Sequence, residues 1–259
     1  MLHKIIAEKR REVESLKRRL DHGKIEEALG AVAAPLPFVD RLLSSKRKVS
    51  VIAEVKKASP SKGVIRPDFD PLALAQAYAD ANVEAMSVLT DEKFFQGNND
   101  YLTTIKREIP TTPLLRKDFI IDPLQVYEAR LIGADCILLI AAALEPRQLS
   151  ELADLAAELG MDTLIEVHNE AEIEQTLAHT KPSVLGINNR DLKTFETTLK
   201  TTERLMSFIP SDLPVISESG IRSREDIDYL AGLGARGVLV GEHFMRQQDI
   251  TVAVKELVD

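Results

Sequence analysis

The sequence is nearly free of cysteine, and it has no long apolar run. One cysteine, Cys136, cannot form an internal disulfide or a cysteine-rich zinc site, which is typical of a reducing compartment. No stretch approaches the roughly 20 apolar residues that a membrane span needs. Charged residues interrupt the first 20 positions, so the apolar core of a signal peptide is missing. We therefore expect a cytoplasmic protein and neither a secreted nor a membrane-spanning one.

An excess of basic residues and a metal-binding histidine pattern are also missing. The 33 Lys and Arg against 41 Asp and Glu give a formal charge of −8, so bulk attraction to nucleic acid or a membrane surface is not expected. The substrate can still be anionic, because local charge at a site matters more than net charge. The five histidines are dispersed, and we expect all of them at the surface or beside the reacting groups. This pattern favours a mechanism without a metal ion.

Short apolar runs rich in Val, Ile and Leu recur along the chain, and helical patterns lie between them. Such nearly continuous runs suit parallel strands that are covered on both faces. Proline follows Asp70, Asp122 and Glu145 at three predicted helix starts, and Ser223 opens another. The predicted strands are 49–55, 85–90, 112–116, 136–141, 162–167, 184–188, 214–218 and 237–241.

Eight βα units predict a closed (β/α)8 barrel over residues 49–259. The alternative is an open doubly wound sheet, which would favour a glycine-rich phosphate loop after the first strand. Glu54-Val55-Lys56-Lys57 stands at that place instead. We expect one domain over 1–259, in which residues 1–45 form a helical extension. Two placements of the extension stay open: a solvated helix packed on the barrel, or a cap over its mouth.

Charged and polar side chains stand where the predicted strands end, which is the catalytic face of such a barrel. A structural ion pair explains any one of them, since buried charges need partners. Their recurrence on six of the eight strands favours an active site that transfers protons. A lysine beside another cation can have its pKa lowered toward neutrality, and a buried glutamate can have its pKa raised. The central set is Glu54, Lys56, Lys117, Glu166, Asn188 and Glu218.

Glycines after the last two strands suggest a phosphate site. Ser219-Gly220 and Gly241 follow strands 7 and 8, where many barrels bind phosphate through backbone N–H groups. Glycine also ends strands for steric reasons, so this signal alone is weak. Residues 59–63 add a hydroxyl group and a lysine, and residues 91–97 with Phe119 add aromatic surface.

Seven segments, in order, resemble the indole-3-glycerol phosphate synthase family. They are IAEVKKASPSKG (52–63), SVLTDEKFFQG (87–97), LLRKDFIID (114–122), IEVH (165–168), GINNRDL (186–192), SESGI (217–221) and LVGEHFM (239–245). The resemblance implies a (β/α)8 barrel with an N-terminal helical extension and no cofactor. The implied reaction converts 1-(2-carboxyphenylamino)-1-deoxyribulose 5-phosphate into indole-3-glycerol phosphate, carbon dioxide and water.

The resemblance also implies a role for each matching residue. Lys117 is expected to protonate the substrate ketone, Lys56 to pair with the substrate carboxylate, and Glu166 to serve as acid–base in the dehydration. Glu54, Asn188 and Glu218 would hold hydroxyls and lysines in place, and Arg190 would support the site. The phosphate would be surrounded by Ser59, Ser219, Gly220, Gly241 and Glu242, and the aromatic ring by Phe95, Phe119, Leu138 and Leu239.

One position departs from the family pattern, and two other functions stay open. Some members carry serine where Glu242 stands, and a carboxylate would repel phosphate, so only the backbone N–H of Glu242 is expected to face inward. One alternative is an isomerase of the same pathway that acts on phosphoribosylanthranilate. The other is a non-catalytic phosphosugar-binding barrel. We expect a small phosphorylated substrate and a monomer or weak oligomer.

Overall fold

The computed structural model describes residues 1–20, 22–192 and 194–259, and its centre is a closed barrel of parallel strands. Strands consecutive along the chain pair with each other, and the last pairs with the first through Ser50 and Gly237. The predicted barrel and its eight strands are confirmed, with ends that differ by a residue or two. The strands are β1 Ser50–Val55, β2 Ala85–Leu89, β3 Leu114–Lys117, β4 Cys136–Ile140, β5 Asp162–Val167, β6 Val184–Asn188, β7 Val215–Glu218 and β8 Gly237–Val240.

Helices surround the barrel, and three more precede it. A short hairpin, Ala58–Ser59 with Gly63–Val64, follows β1 outside the barrel and was not expected from the sequence. A 3-10 turn, Ala141–Ala143, follows β4. The α-helices are α1 Leu2–Arg19, α2 His22–Ala31, α3 Phe38–Leu43, α4 Pro71–Asp80, α5 Glu92–Phe95, α6 Asn99–Glu108, α7 Pro123–Leu131, α8 Pro146–Glu158, α9 Glu170–His179, α10 Lys200–Met206, α11 Arg224–Gly232, α12 Glu242–Met245 and α13 Ile250–Val258.

The helices that follow the strands begin where capping residues predict. The Asp70 carboxylate accepts hydrogen bonds from the backbone N–H groups of Leu72 and Ala73, both at 3.0 Å, at the start of α4. Asp122 caps α7 in the same way, and Ser223 forms a capping box with Asp226 at the start of α11. These caps satisfy backbone donors that would otherwise stay unpaired, and they fix the direction in which each helix leaves the barrel mouth.

The apolar core has two layers, and the extension closes the lower end of the inner one. The outer layer lies between barrel and helices, while the inner layer fills the barrel with side chains such as Leu115, Cys136 and Leu164. Phe38 of α3, which is fully buried, packs into this inner layer from below. The backbone N–H of Val39 donates to Asp162 at the start of β5, 2.9 Å away. The site is therefore confined to the opposite, C-terminal end of the strands.

Helix α1 lies at that C-terminal end and partly covers it. Met1, Leu2 and Ile5 line the cavity at the barrel mouth, whereas Val13 and Leu16 are buried farther along the helix. The two placements that the sequence left open therefore both hold in part. The first turn of α1 borders the mouth, and the rest of the helix packs on the outside of the barrel.

Candidate active site

A cavity of about 490 Å³ opens at the C-terminal ends of the strands. Every site residue singled out from the sequence lines it, although these residues are spread over some 190 residues of chain. The sixteen residues are Glu54, Lys56, Ser59, Phe95, Lys117, Phe119, Leu138, Glu166, Asn188, Arg190, Glu218, Ser219, Gly220, Leu239, Gly241 and Glu242.

Two lysines and two glutamates form a connected centre in this cavity. The Glu54 carboxylate forms an ion pair with Lys56, and its other oxygen lies 3.9 Å from Nζ of Lys117. Lys117 Nζ donates to Oε2 of Glu218, 2.7 Å away. Both carboxylates are buried, so each charge depends on its partner for stabilisation. Lys117 is thereby held between β1 and β7, across the barrel from its own strand.

The expected lowering of a lysine pKa is wrong for Lys117. Burial by itself lowers its pKa, but the carboxylates of Glu218, Glu54 and Glu166 outweigh burial and raise the pKa above its ordinary value of 10.5. The expectation assumed that another cation was the dominant neighbour. The fold instead surrounds Lys117 with carboxylates, so it stays a cation at neutral pH.

The carboxyl groups of Glu218 and Glu166 have pKa values that move in opposite directions. Burial raises the pKa of Glu218 to about 7, with Glu166 and Glu54 adding to the rise and Lys117 only partly opposing it. Burial also acts on Glu166, but His168, Lys117 and a hydrogen bond from Asn188 lower its pKa. Two carboxyl groups with separated pKa values suit separate acid and base roles. Near neutral pH, Glu166 is ionised while Glu218 is partly protonated.

The turn after β7 has an unusual backbone that a buried side chain holds in place. Ser219 and Gly220 both have positive φ, 70° and 84°, a conformation that serine rarely adopts. The Asn189 amide donates to the Ser219 carbonyl at 3.1 Å, and Asn189 in turn accepts from Thr202 of α10. Sequence reasoning missed Asn189 and Thr202. Only the adjacency of Asn189 to Asn188 and Arg190 could have suggested them.

At two glycines, a buried carboxylate occupies the space that a Cβ atom would fill. A Cβ atom on Gly241 would collide with the Glu54 side chain, and one on Gly186 would collide with Glu218 and lie 2.7 Å from Leu164. Gly241 was singled out for backbone approach to a phosphate, and its position also has this steric cause. Gly186 was missed, although glycine inside a strand commonly marks a close approach.

Cations line one edge of the cavity. Arg190 Nη1 donates to Ser61 Oγ at 3.1 Å, and its Nη2 lies 3.6 Å from the Glu242 carboxylate. Arg246 donates to the same carboxylate at 2.9 and 3.1 Å. Burial opposes this ionised form, but Arg246, with Lys62 and Arg190 adding to its effect, lowers the pKa of Glu242. The Glu242 charge is thus offset locally, and an inward-facing backbone N–H of Glu242 stays a prediction.

Apolar side chains form another part of the cavity wall. The rings of Phe95 and Phe119 are 6.0 Å apart and tilted at 38°. Leu138 and Leu239 extend this surface from the barrel interior, and Phe195, which was not predicted, also lines the cavity. Such a wall suits a flat apolar ring, since tilted aromatic neighbours attract through their edges and faces.

The histidines lie beside the charged centre or away from it. His168 is next to Glu166, His243 lines the edge of the cavity, and His3 and His179 are exposed. The side chain of His22 falls outside the described part of the chain. Within the residues that the structure describes, no group of three His, Cys, Asp or Glu side chains could hold a metal ion, and no helix is long and apolar enough to cross a membrane.

The fold and the cavity define a (β/α)8 barrel of the enzyme type, with a charged site at the C-terminal strand ends. The indole-3-glycerol phosphate synthase family matches residues 2–257, and the chain belongs to this family. This confirms the family that the sequence segments indicated.

Relatives agree with this assignment over nearly the whole chain. The indole-3-glycerol phosphate synthase of Bacillus pumilus is 47% identical over 257 residues, covering 99% of both chains. That of Bacillus licheniformis is 52% identical over 220 residues, covering 85% of this chain and 87% of the relative. A solved structure of 3-hexulose-6-phosphate synthase from Salmonella typhimurium has a TM-score of 0.66 at 12% identity, covering 81% and 96% of the two chains. This last likeness shows the fold alone.

Proposed function

We propose that this cavity converts 1-(2-carboxyphenylamino)-1-deoxyribulose 5-phosphate into indole-3-glycerol phosphate, with release of carbon dioxide and water. The observation that carries the proposal is the layout of the cavity. A lysine–glutamate centre, apolar side chains and a cationic edge line one cavity, in a chain of this family. The substrate has matching parts, namely an aromatic carboxylate ring, a ketone and a phosphate.

The two ends of the substrate fix its direction in the cavity. The ring packs against Phe95, Phe119, Leu138 and Leu239, and its carboxylate pairs with Lys56. The phosphate binds at the Ser219–Gly220 turn and the backbone of Gly241, with Arg190 nearby. Ser59 Oγ supports this placement, because it is buried and has no hydrogen-bond partner within the described residues. A phosphate oxygen would satisfy it.

Ring closure depends on Lys117 as the proton donor. A bond forms between the ring carbon that carries the carboxylate and the ketone carbon, and the ketone oxygen takes a proton from the Lys117 ammonium. The ion pairs with Glu54 and Glu218 keep this ammonium charged and oriented. Lys56 holds the reacting carbons together through the carboxylate, and such orientation contributes ~7–11 kcal/mol in favourable cases.

Decarboxylation and dehydration complete the reaction. The bond to the carboxylate breaks, its electron pair returns to the ring, and carbon dioxide leaves. The former ketone oxygen, now a hydroxyl group, takes a second proton from the partly protonated Glu218 and leaves as water, while the neighbouring carbon loses a proton. Glu166 accepts that proton, since it is ionised in the resting site and lies on the cavity wall. Asn188, which hydrogen-bonds to Glu166, keeps this carboxylate in place.

An indole fluorescence assay with purified protein tests the proposal. The carboxyphenylamino substrate, supplied without metal, should give an indole signal that grows with time and with protein concentration. Phosphoribosylanthranilate serves as the second substrate, because an isomerase would consume it directly. No signal from the first substrate contradicts the proposed function, and consumption of the second alone would favour the isomerase.

We also propose that the protein works in the cytoplasm as a monomer or weak oligomer. A buried free thiol at Cys136 supports a reducing compartment. Light scattering after size-exclusion chromatography, across a tenfold range of protein concentration, tests the oligomeric state. A mass of a stable higher oligomer at every concentration would contradict it.

A further inference from the structure

His168 lies directly behind Glu166, outside the cavity. It follows β5, on which Glu166 stands, and precedes α9. Its ring is clamped between two carboxylates, with Nε2 3.2 Å from Oε1 of Glu166 and Nδ1 3.2 Å from Oε2 of Glu172. Glu166 lines the cavity, whereas the His168 side chain does not and is only 10% exposed. Any effect of His168 on a bound substrate therefore passes through Glu166.

Glu172 is itself firmly held, so the clamp is rigid. Its Oε2 accepts the backbone N–H of His168 at 2.7 Å, and its Oε1 accepts the Asn169 amide, also at 2.7 Å. Asn169 caps α9 by accepting the backbone N–H of Glu172 at 3.0 Å. These bonds tie the ring of His168 to the first turn of the helix. An imidazole with Nδ1 bonded to Glu172 and Nε2 3.2 Å from the Glu166 carboxylate is restrained in its orientation.

The charges around Glu166 leave a specific task to His168. Lys117 from β3 and Glu218 from β7 also face Glu166, and Asn188 from β6 hydrogen-bonds to it. Lys117, however, is already engaged by Glu218 and Glu54. Burial acts to lower the pKa of His168, but Glu166 and Glu172 together raise it to about 10. His168 is therefore a cation at neutral pH, and Glu166 is the cavity carboxylate that it contacts.

We propose that His168, oriented by Glu172, is a positioning residue that holds the Glu166 carboxylate ionised and aimed into the cavity. The inference rests on the proposed function, in which Glu166 takes the proton of the dehydration step. Glu218 contacts Lys117 inside the cavity instead, and it is the carboxyl group that is partly protonated near neutral pH. The His168–Glu172 pair thus gives Glu166 and Glu218 different protonation states, although both stand at the C-terminal ends of barrel strands.

Two variants test the inference through the pH dependence of turnover. His168→Asn removes the cation, so Glu166 gains a proton more readily and the acidic limb of the kcat profile should move up by about one pH unit. We expect kcat at neutral pH, where Glu166 stays ionised, to fall several-fold because the carboxylate is less well oriented, with KM within about twofold because the substrate does not touch His168. Glu172→Gln should shift the limb in the same direction by less. His179→Asn, at an exposed position on α9, should match the parent.

Nitrogen NMR of histidine-labelled protein gives a readout that does not depend on activity. The His168 ring, identified by its absence in His168→Asn, should be cationic at pH 8 in the parent and lose that charge in Glu172→Gln. The inference is overturned if the acidic limb of the kcat profile does not move in either variant, or if the His168 ring is neutral in the parent. If His168→Asn does not fold, Glu172→Gln decides. If the parent is inactive although its His168 ring is cationic, the proposed function is refuted, and with it the role of His168 in that function. If the parent is active but the acidic limb of its kcat profile does not move in the variants, only the inference about His168 is refuted.

Discussion

At the scale of single residues, the site depends on which charges become neighbours. Glu54 and Lys56 are two positions apart, and strand alternation places both on the cavity face as expected. Lys117 and Glu218, by contrast, are 101 positions apart and meet only because the barrel closes. The composition of the centre was therefore predictable from strand ends. The direction of the Lys117 pKa was not, because it depends on contacts that local sequence does not contain.

A test at this scale concerns the proton on Glu218. Its pKa is raised from 4.5 to about 7 in the folded state, so the folded protein holds this proton more tightly than the unfolded chain. The resulting stabilisation is complete below pH 4.5 and is lost as the pH rises through 7. Glutamine cannot titrate, so the unfolding free energy of the parent minus that of Glu218→Gln should fall over this window, by on the order of 3 kcal/mol.

Urea unfolding at pH 4.5, 6 and 8 measures this difference. Glu151→Gln, on the exposed face of α8, is the control and should run parallel to the parent at every pH. A difference between the parent and Glu218→Gln that is constant, or that grows with pH, would show that the Glu218 pKa is not raised.

At the scale of elements, the first helix is fastened to the catalytic end by a buried lysine. Lys9 Nζ lies 2.8 Å from Asp91, which caps the short helix carrying Phe95, and 2.8 Å from Asp118, which follows Lys117. The sequence showed an apolar stripe on α1 but not this contact. A signal existed, since Lys9 is four residues from both Ile5 and Val13 and so shares their buried face.

Replacing this lysine tests the attachment. Lys9→Met leaves two buried carboxylates without their shared cation, so the unfolding free energy should fall by about 3–5 kcal/mol. Lys17→Met, on the exposed side of the same helix, removes only a surface pair with Glu14 and should leave the unfolding free energy nearly unchanged. Urea titration at constant pH compares the three proteins. Equal losses in both variants would mean that Lys9 does not fasten α1 to the barrel.

At the scale of the whole molecule, the order of βα units determined most of what was predictable. Eight apolar runs with glycine and proline at their borders predicted the barrel, and a barrel has one catalytic face, so the polar strand ends had to converge. What could not be predicted lies outside that repeat. The α3 plug and the hairpin after β1 depend on packing against distant strands. Arg190 and Arg246 lie at one edge of the cavity, although the chain as a whole is negatively charged. Net charge does not reveal such a local group of cations.

The proposed role of Lys117 in ring closure is tested most directly by measuring turnover and substrate binding separately in Lys117→Ala. If Lys117 is the proton donor for ring closure, kcat for indole formation should fall by about 10²–10⁴, while calorimetry should show substrate binding within a few-fold of the parent. Lys181→Ala, at an exposed position, should behave as the parent. Circular dichroism confirms that the variants are folded. Turnover by Lys117→Ala within a few-fold of the parent would contradict the assignment of this cavity's chemistry to the lysine–glutamate centre.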